Sequence, residues 1–360
     1  MWEAGIASPM AQPTPPAAPG AIVSPYEFQH ELRMRARRLW RERMVRTWIV
    51  GAVPAFGGLA LWLFSGATVA FRAAVEEIAG SSWPLIVVVY VLGLSALLAL
   101  LTLPGAYLAG YALERRYGLS TQTRRGFVAD AAKGAAIGLG TWLPLTVALY
   151  ALIRWDPLWW WAPAAAGWLL LSLLGQILYP VLILPRFFRQ RPLEPGPLAE
   201  ACVRLAAHAG APEFSRVFVL EASAKTRRPN AALAGWGRTR RILLFDTLLA
   251  ALPPKEIELV VAHELAHHRY RDMLEGLLQA AGLRAMVLGA AALVLAASWK
   301  GLGLSSAADA AGLPLLALAG GALGLLLAPL SAAASRARER RADRLALDLV
   351  GDPAAAISLE

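Results

Sequence analysis

Six apolar runs, each long enough to cross a bilayer, leave this chain few folds to choose from. They extend approximately from Trp48 to Phe71, Trp83 to Gly110, Ala135 to Ile153, Leu158 to Leu184, Leu277 to Trp299 and Leu313 to Ala334. A helix needs roughly 20 residues to span about 30 Å of hydrocarbon, and each run meets that length or comes close to it. The chain is 57% hydrophobic and only 17% charged, which excludes an ordinary soluble domain. Pro54, Pro144, Pro163 and Pro329 fall inside runs and predict kinks that neighbouring helices must satisfy. Trp155, Trp159, Trp160 and Trp161 read as an interfacial aromatic belt, and Gly320 with Gly324 as a small-residue packing contact.

Charge sits between the runs. The formal net charge of +10 comes from residues in the connecting segments, and no zinc-finger spacing or aromatic-interleaved basic groove accompanies it. The partner implied is therefore the lipid bilayer, not nucleic acid. Arg33 to Arg46 precede the first run; Arg115, Arg116, Arg124, Arg125 and Lys133 follow the second; Arg186, Arg189 and Arg191 follow the fourth. The opposite loops carry only Arg72, Arg154 and Lys300, so the positive-inside rule places the first set in the cytoplasm. The long polar stretch from about Arg186 to Asp272 and the tail after Ala334 fall on that same side.

This reading divides the chain into a Pro-rich disordered tail (1–25), a basic amphipathic membrane-surface helix (26–46) and four spans (47–185). A polar module (186–272), two further spans (273–334) and a C-terminal segment (335–360) follow. No cleavable signal peptide is visible, and the first span acts as an uncleaved anchor. Cys202 is the only cysteine, so intramolecular disulfides and cysteine-rich metal sites are excluded. Any metal chemistry must use His and carboxylates.

Within the polar module, Leu198 to His208 has helical spacing and ends at Gly210, while Val217 to Leu220 and Ile242 to Phe245 read as strands. Pro253 and Pro254 open a further helix bearing His263-Glu264-Leu265-Ala266-His267. Residues four apart share a helical face, so both imidazoles can bind one Zn²⁺, and Glu264 stands beside it as a base for water. The chain has five His, and three of them, His263, His267 and His268, are concentrated here. A third ligand has a candidate in Glu339, beyond the sixth run on the same side of the membrane. Asp343, one helical turn later, can accept the N–H of a ligand His. His268 is read as facing elsewhere. Arg284 is the one strongly basic residue at membrane depth, and either a water-lined cavity or a helix-packing salt bridge would accommodate it.

These residues resemble the type I CAAX prenyl proteases, integral-membrane zinc metalloendopeptidases related to the bacterial heat-shock membrane protease HtpX. Besides HExxH and Ser335-Arg336-x-x-Glu339-x-x-Ala342-Asp343, the resemblance includes Leu113-Glu114-Arg115-Arg116-Tyr117-Gly118-Leu119-Ser120-Thr121-Gln122-Thr123. It extends to Leu184-Pro185-Arg186-Phe187-Phe188 and to Arg241-Ile242-Leu243-Leu244-Phe245-Asp246. It implies a mainly α fold, a polytopic bundle of about six spans carrying a small α+β zinc-peptidase module. It also implies one Zn²⁺ and a peptide or protein substrate, lipidated or not, that adds to an edge strand at Asn230 and Ala231. Two departures stand out: relatives have one more span near the N-terminus, and they continue past residue 360 into a segment with a His-Pro element.

Arg and Ala are abundant and Lys is scarce, as in a GC-rich bacterial genome, which favours a bacterial inner membrane and quality-control cleavage over prenyl-peptide processing. A catalytically inactive scaffold or a transporter is the competing class. It would place paired ionisable residues inside several spans, and only Arg284 and Gln176 stand there.

Overall fold

A computed structural model of the chain describes residues 25–351. The expected disordered tail and residues 352–360 lie outside the described residues. Helix α1 (Pro25–Arg46) passes through a π-helical turn at Thr47–Ala52 directly into α2 (Val53–Phe64). The basic segment is thus helically continuous with the first span, which by length and composition reads as Arg37–Phe64. Some of its charges have protein partners: Arg43 pairs with Glu114 at 2.5 Å, and Glu42 accepts from Tyr117 Oη at 3.0 Å.

The first span stops at Phe64, seven residues before its apolar run ends. Gly66 takes a left-handed φ of 79° and starts α3 (Ala67–Ala79), a turn that a hydropathy average does not register. The second span joins α4 (Trp83–Ala106) through a π-helical turn to α5 (Leu113–Arg116); the third is α6 (Arg124–Trp155). The fourth is α7 (Trp161–Leu178), followed by a π-helical turn at Tyr179–Ile183 and α8 (Leu184–Phe187). Pro54, Pro104 and Pro180 each lie in or within three residues of one of these turns, where a missing N–H disturbs the regular ladder.

The polar module follows. Its sheet has order β1-β2-β4-β3, built from β1 (Gln190–Pro192), β2 (Val217–Leu220), β3 (Ala231–Ala234) and β4 (Arg241–Phe245). Only β2 and β4 are parallel. Four strands form where the apolar runs marked two. Strand β1 consists of Gln, Arg and Pro and the alanine-rich β3 has little strand propensity, so pairing rather than pattern makes both. Helices α9 (Pro197–His208), α10 (Asp246–Ala251) and α11 (Pro254–Arg269) pack on the sheet around Cys202, Ile242, Leu244, Leu248, Val261 and Leu265. Gly210, at φ 75°, closes α9 as its position predicted. The chain returns to the bundle through α12 (Asp272–Ser298) and α13 (Leu313–Val350), giving six candidate spans among the described residues.

Several contacts fix the module to the bundle end where α4 and α5 lead out. The loop after α5 bridges Ser120 to Thr226, and Lys225 pairs with Asp130 of α6 at 2.6 Å. The opposite end is closed by a buried polar network. Thr68 Oγ1 donates to the Ala311 carbonyl (2.7 Å), Tyr150 to that of Ala310 (3.2 Å), and Arg72 pairs with buried Asp309 (3.1 Å). The tryptophan cluster divides: Trp155 and Trp159 are exposed, as an interfacial belt requires, whereas Trp160 is buried in the bundle core. The close packing on the sixth span lies one residue from the expected pair, because a Cβ on Gly321 would stand 2.5 Å from the Phe56 ring while Gly324 faces open space.

Cys202 provides a probe of this fold. Burial, with Glu258 nearby, pushes its thiol up to about 12. Thiolate is the reactive form, so a disulfide reagent at pH 8 should leave the folded protein unlabelled and modify one thiol per chain after denaturation. Fast labelling of the native protein would contradict the module core.

Candidate metal centre

Helix α11 forms where the sequence places its start signals: Pro253 is extended at the N-cap and Pro254 occupies the first turn, where no N–H is required. Ile257, Val260, Val261 and Leu265 bury one side against the sheet, which turns His263 and His267 toward the bundle. Arg271, the only non-glycine with positive φ among the described residues, then reverses the chain so that Asp272 opens α12 beside His267.

The two imidazoles meet a carboxylate from the far end of the chain. His263 Nε2 lies 3.2 Å from His267 Nε2, and Glu339 Oε2 of α13 lies 3.4 Å from the first and 3.6 Å from the second. Behind them, His263 Nδ1 faces Asp343 Oδ1 at 2.9 Å and His267 Nδ1 faces Asp272 Oδ2 at 2.7 Å. A carboxylate only accepts, so each Nδ1 carries a proton, and in the neutral ring each Nε2 then offers a lone pair.

These donors fit a divalent cation. Three electron-rich atoms converge with lone pairs facing one another, an arrangement that repels itself unless positive charge sits among them. Zinc–ligand distances of about 2.0–2.1 Å imply donor separations of about 3.3–3.4 Å in a tetrahedron, which the observed spacings match. Glu264 completes the group: it is buried at 7% exposure, and its Oε1 has no hydrogen-bond partner. Burial raises its carboxyl to about 8, opposed by His263 and reinforced by Glu339. A cation at the three donors would favour its ionised form. Burial pulls His263 down, yet the Asp343 hydrogen bond and the Glu264, Asp343 and Glu339 charges together hold it above the usual imidazole range.

Asp272 was not singled out by sequence reasoning. The available signal was an acidic residue five positions after the second His, but it reaches His267 only through the left-handed turn at Arg271. His268 points away, with Nε2 3.1 Å from Glu213. Asn230 and Ala231 lie at the start of β3, at the edge of the sheet. The Arg284 guanidinium stacks over Trp168 of α7 at 5.1 Å, and no carboxylate pairs with it among the described residues, so the helix-packing salt bridge has no partner there.

A helical membrane bundle that holds two His and a Glu together at its polar end, with a buried second Glu beside them, has the architecture of a membrane metallopeptidase. Comparison with known proteins narrows this. Residues 12–189 match the model for the CAAX prenyl protease N-terminal region with five membrane helices, and residues 192–359 match that for peptidase family M48. The chain belongs to the CAAX prenyl protease-like membrane metalloproteases of family M48. It is 31% identical to the CAAX prenyl protease 1 homolog of Dictyostelium discoideum over 49% of this chain and 41% of that protein. It is 32% identical to CAAX prenyl protease 1 of Saccharomyces cerevisiae over 48% and 38%. The uncharacterized metalloprotease YhfN of Bacillus subtilis is 31% identical over 74% of this chain and 63% of its own length. The chain thus spans less than two thirds of these relatives. The crystal structure of Ste24p from S. mikatae shares the fold, with a TM-score of 0.71, 18% identity and coverage of 91% of this chain and 79% of that one.

Proposed function

We propose that the chain is a zinc metalloendopeptidase of the HExxH-plus-Glu type, cleaving membrane-associated or C-terminal peptide segments at the cytoplasmic face. The observation that carries this is the convergence of His263 Nε2, His267 Nε2 and Glu339 Oε2 beside buried Glu264, whose Oε1 has no hydrogen-bond partner. When bound there, zinc supplies Lewis-acid chemistry: it polarises the scissile carbonyl and makes water acidic. Glu264 takes the proton of the attacking water and returns it to the departing amine. Asp343 and Asp272 hold the imidazoles in the tautomer that presents Nε2. The cytoplasmic orientation rests on the basic loops that share the site's end of the bundle. The Lys-poor, Arg- and Ala-rich composition supports turnover of membrane-associated peptides over prenyl-peptide processing. Cleavage of a farnesylated Cys-a-a-X peptide compared with its unmodified twin discriminates the two, since a strict lipid requirement would favour processing.

Strand β3 supports an extended substrate. The Phe245 N–H donates to the Asn230 carbonyl (3.0 Å), so by antiparallel alternation residues 232 and 234 also face β4, while 231 and 233 face the open edge. Ala231 N–H is already met by Asn230 Oδ1 at 3.0 Å, which leaves the Leu233 N–H facing the open edge for a peptide. Leu233→Pro removes that donor without touching the ladder. A lost hydrogen bond of about 0.5–1.5 kcal/mol should raise KM roughly 2- to 10-fold with zinc content unchanged. An unaltered KM would move the substrate elsewhere.

A further inference from the structure

Resting on the zinc-peptidase reading above, we infer that Arg341 is a positioning residue for the metal centre, acting on His267 through Asp272. Its guanidinium lies on α13, two residues past Glu339, on a different side of that helix from both Glu339 and Asp343. Nη2 donates to Asp272 Oδ1, while the other carboxylate oxygen, Oδ2, faces His267 Nδ1 at 2.7 Å. Asp272 is buried at 7% exposure, and each of its oxygens has its own partner, so its plane is held from both sides. Without Arg341 the carboxylate keeps a single bond and can rotate, and the orientation of His267 is no longer specified. A buried carboxylate stripped of a cationic neighbour is also costly, which favours rearrangement over an intact but unpaired site.

Arg341 is itself fixed. Its guanidinium stacks over Tyr270 at 4.6 Å, in the turn joining α11 to α12, and Nη2 also reaches Glu275 Oε2 at 2.9 Å. The consequence for the fold is that one short stretch of α13 governs the whole donor set. Glu339 offers a ligand atom, Asp343 orients His263, and Arg341 orients His267 through Asp272. Docking α13 against α11 and α12 therefore completes the site and aligns both imidazoles in one event.

The competing account is that Arg341 merely straps α13 to α12, as Arg338 does through Gln279 at 2.9 Å. Glu275 separates the two. It shares the strap but does not touch Asp272 or either imidazole, so Glu275→Ala removes one of the two carboxylates by which Arg341 grips α12 and leaves the relay.

The test is zinc affinity of the full chain in detergent, measured by chelator competition, with the absorption spectrum of the Co²⁺-substituted protein as a second readout of ligand geometry. Arg341→Ala is expected to weaken zinc about 10- to 100-fold, the usual cost of losing a group that orients a ligand. Glu275→Ala should stay within about 2-fold of wild type, since it leaves the groups orienting the ligands in place. Asp272→Asn should match Arg341→Ala, and the double variant should be no worse than either alone. Arg341→Lys, which keeps the charge and one bond, should fall between and shift the Co²⁺ bands; it also serves if the alanine variant fails to fold, as judged by protection of the Cys202 thiol. Wild-type affinity in Arg341→Ala, or an equal loss in Glu275→Ala, overturns the relay. A wild-type chain that binds no zinc removes the peptidase reading and the relay with it.

Discussion

Glu264→Gln should retain about one zinc per chain while kcat/KM for peptide cleavage falls by about 10²- to 10⁴-fold, the range that general acid–base groups contribute. The amide has nearly the shape of the carboxyl but cannot accept the proton of the attacking water. Glu264 is not among the three converging donors, so metal content should be spared. Burial adds a second expectation: the glutamine amide inherits a pocket where Glu264 Oε1 has no partner, so thermal stability should change little or rise. Retained cleavage with normal zinc would remove Glu264 from the mechanism. Loss of zinc along with cleavage would instead place this residue among the ligands.

His263→Ala should give the opposite pattern, with zinc falling from about one per chain to below about 0.1, because two donors do not hold the ion against washing. Elemental analysis of the purified protein reads this directly. The zinc-dependent share of stability should disappear too, about 4 kcal/mol if zinc is supplied at 1,000 times its Kd. Glu339→Ala belongs with His263→Ala, since its carboxylate stands 3.4 and 3.6 Å from the two imidazole nitrogens. Asp343→Asn should be milder, about 10- to 100-fold in zinc affinity, because it touches His263 through Nδ1 and leaves all three donors in place. Full zinc occupancy in Glu339→Ala would leave the site without its third donor and the α13 assignment without support.

How much of this was legible in the residues differs between bundle and site. Span number and approximate position followed from hydropathy, because a bilayer rewards apolar length and little else. The break at Gly66 and the join between α1 and α2 did not, since a left-handed glycine and a continuous π-helical turn leave no mark in an average over twenty residues. The same limit explains β1 and β3: both strands exist because β2 and β4 offer them hydrogen bonds, and neither has a side-chain pattern of its own.

In the site, the sequence by itself determined the helix and the spacing of His263, Glu264 and His267, because 3.6 residues per turn is a local property. It also marked Glu339 and Asp343 as candidates on the proper side of the membrane. Tertiary structure alone decided that Glu339 reaches both imidazoles, that Asp272 rather than a more distant acid stands behind His267, and that Arg341 holds Asp272. Those contacts join α11, α12 and α13 across separations of up to 80 residues. Their geometry depends on how three packed helices cross and on one left-handed residue between two of them, quantities that no local pattern encodes.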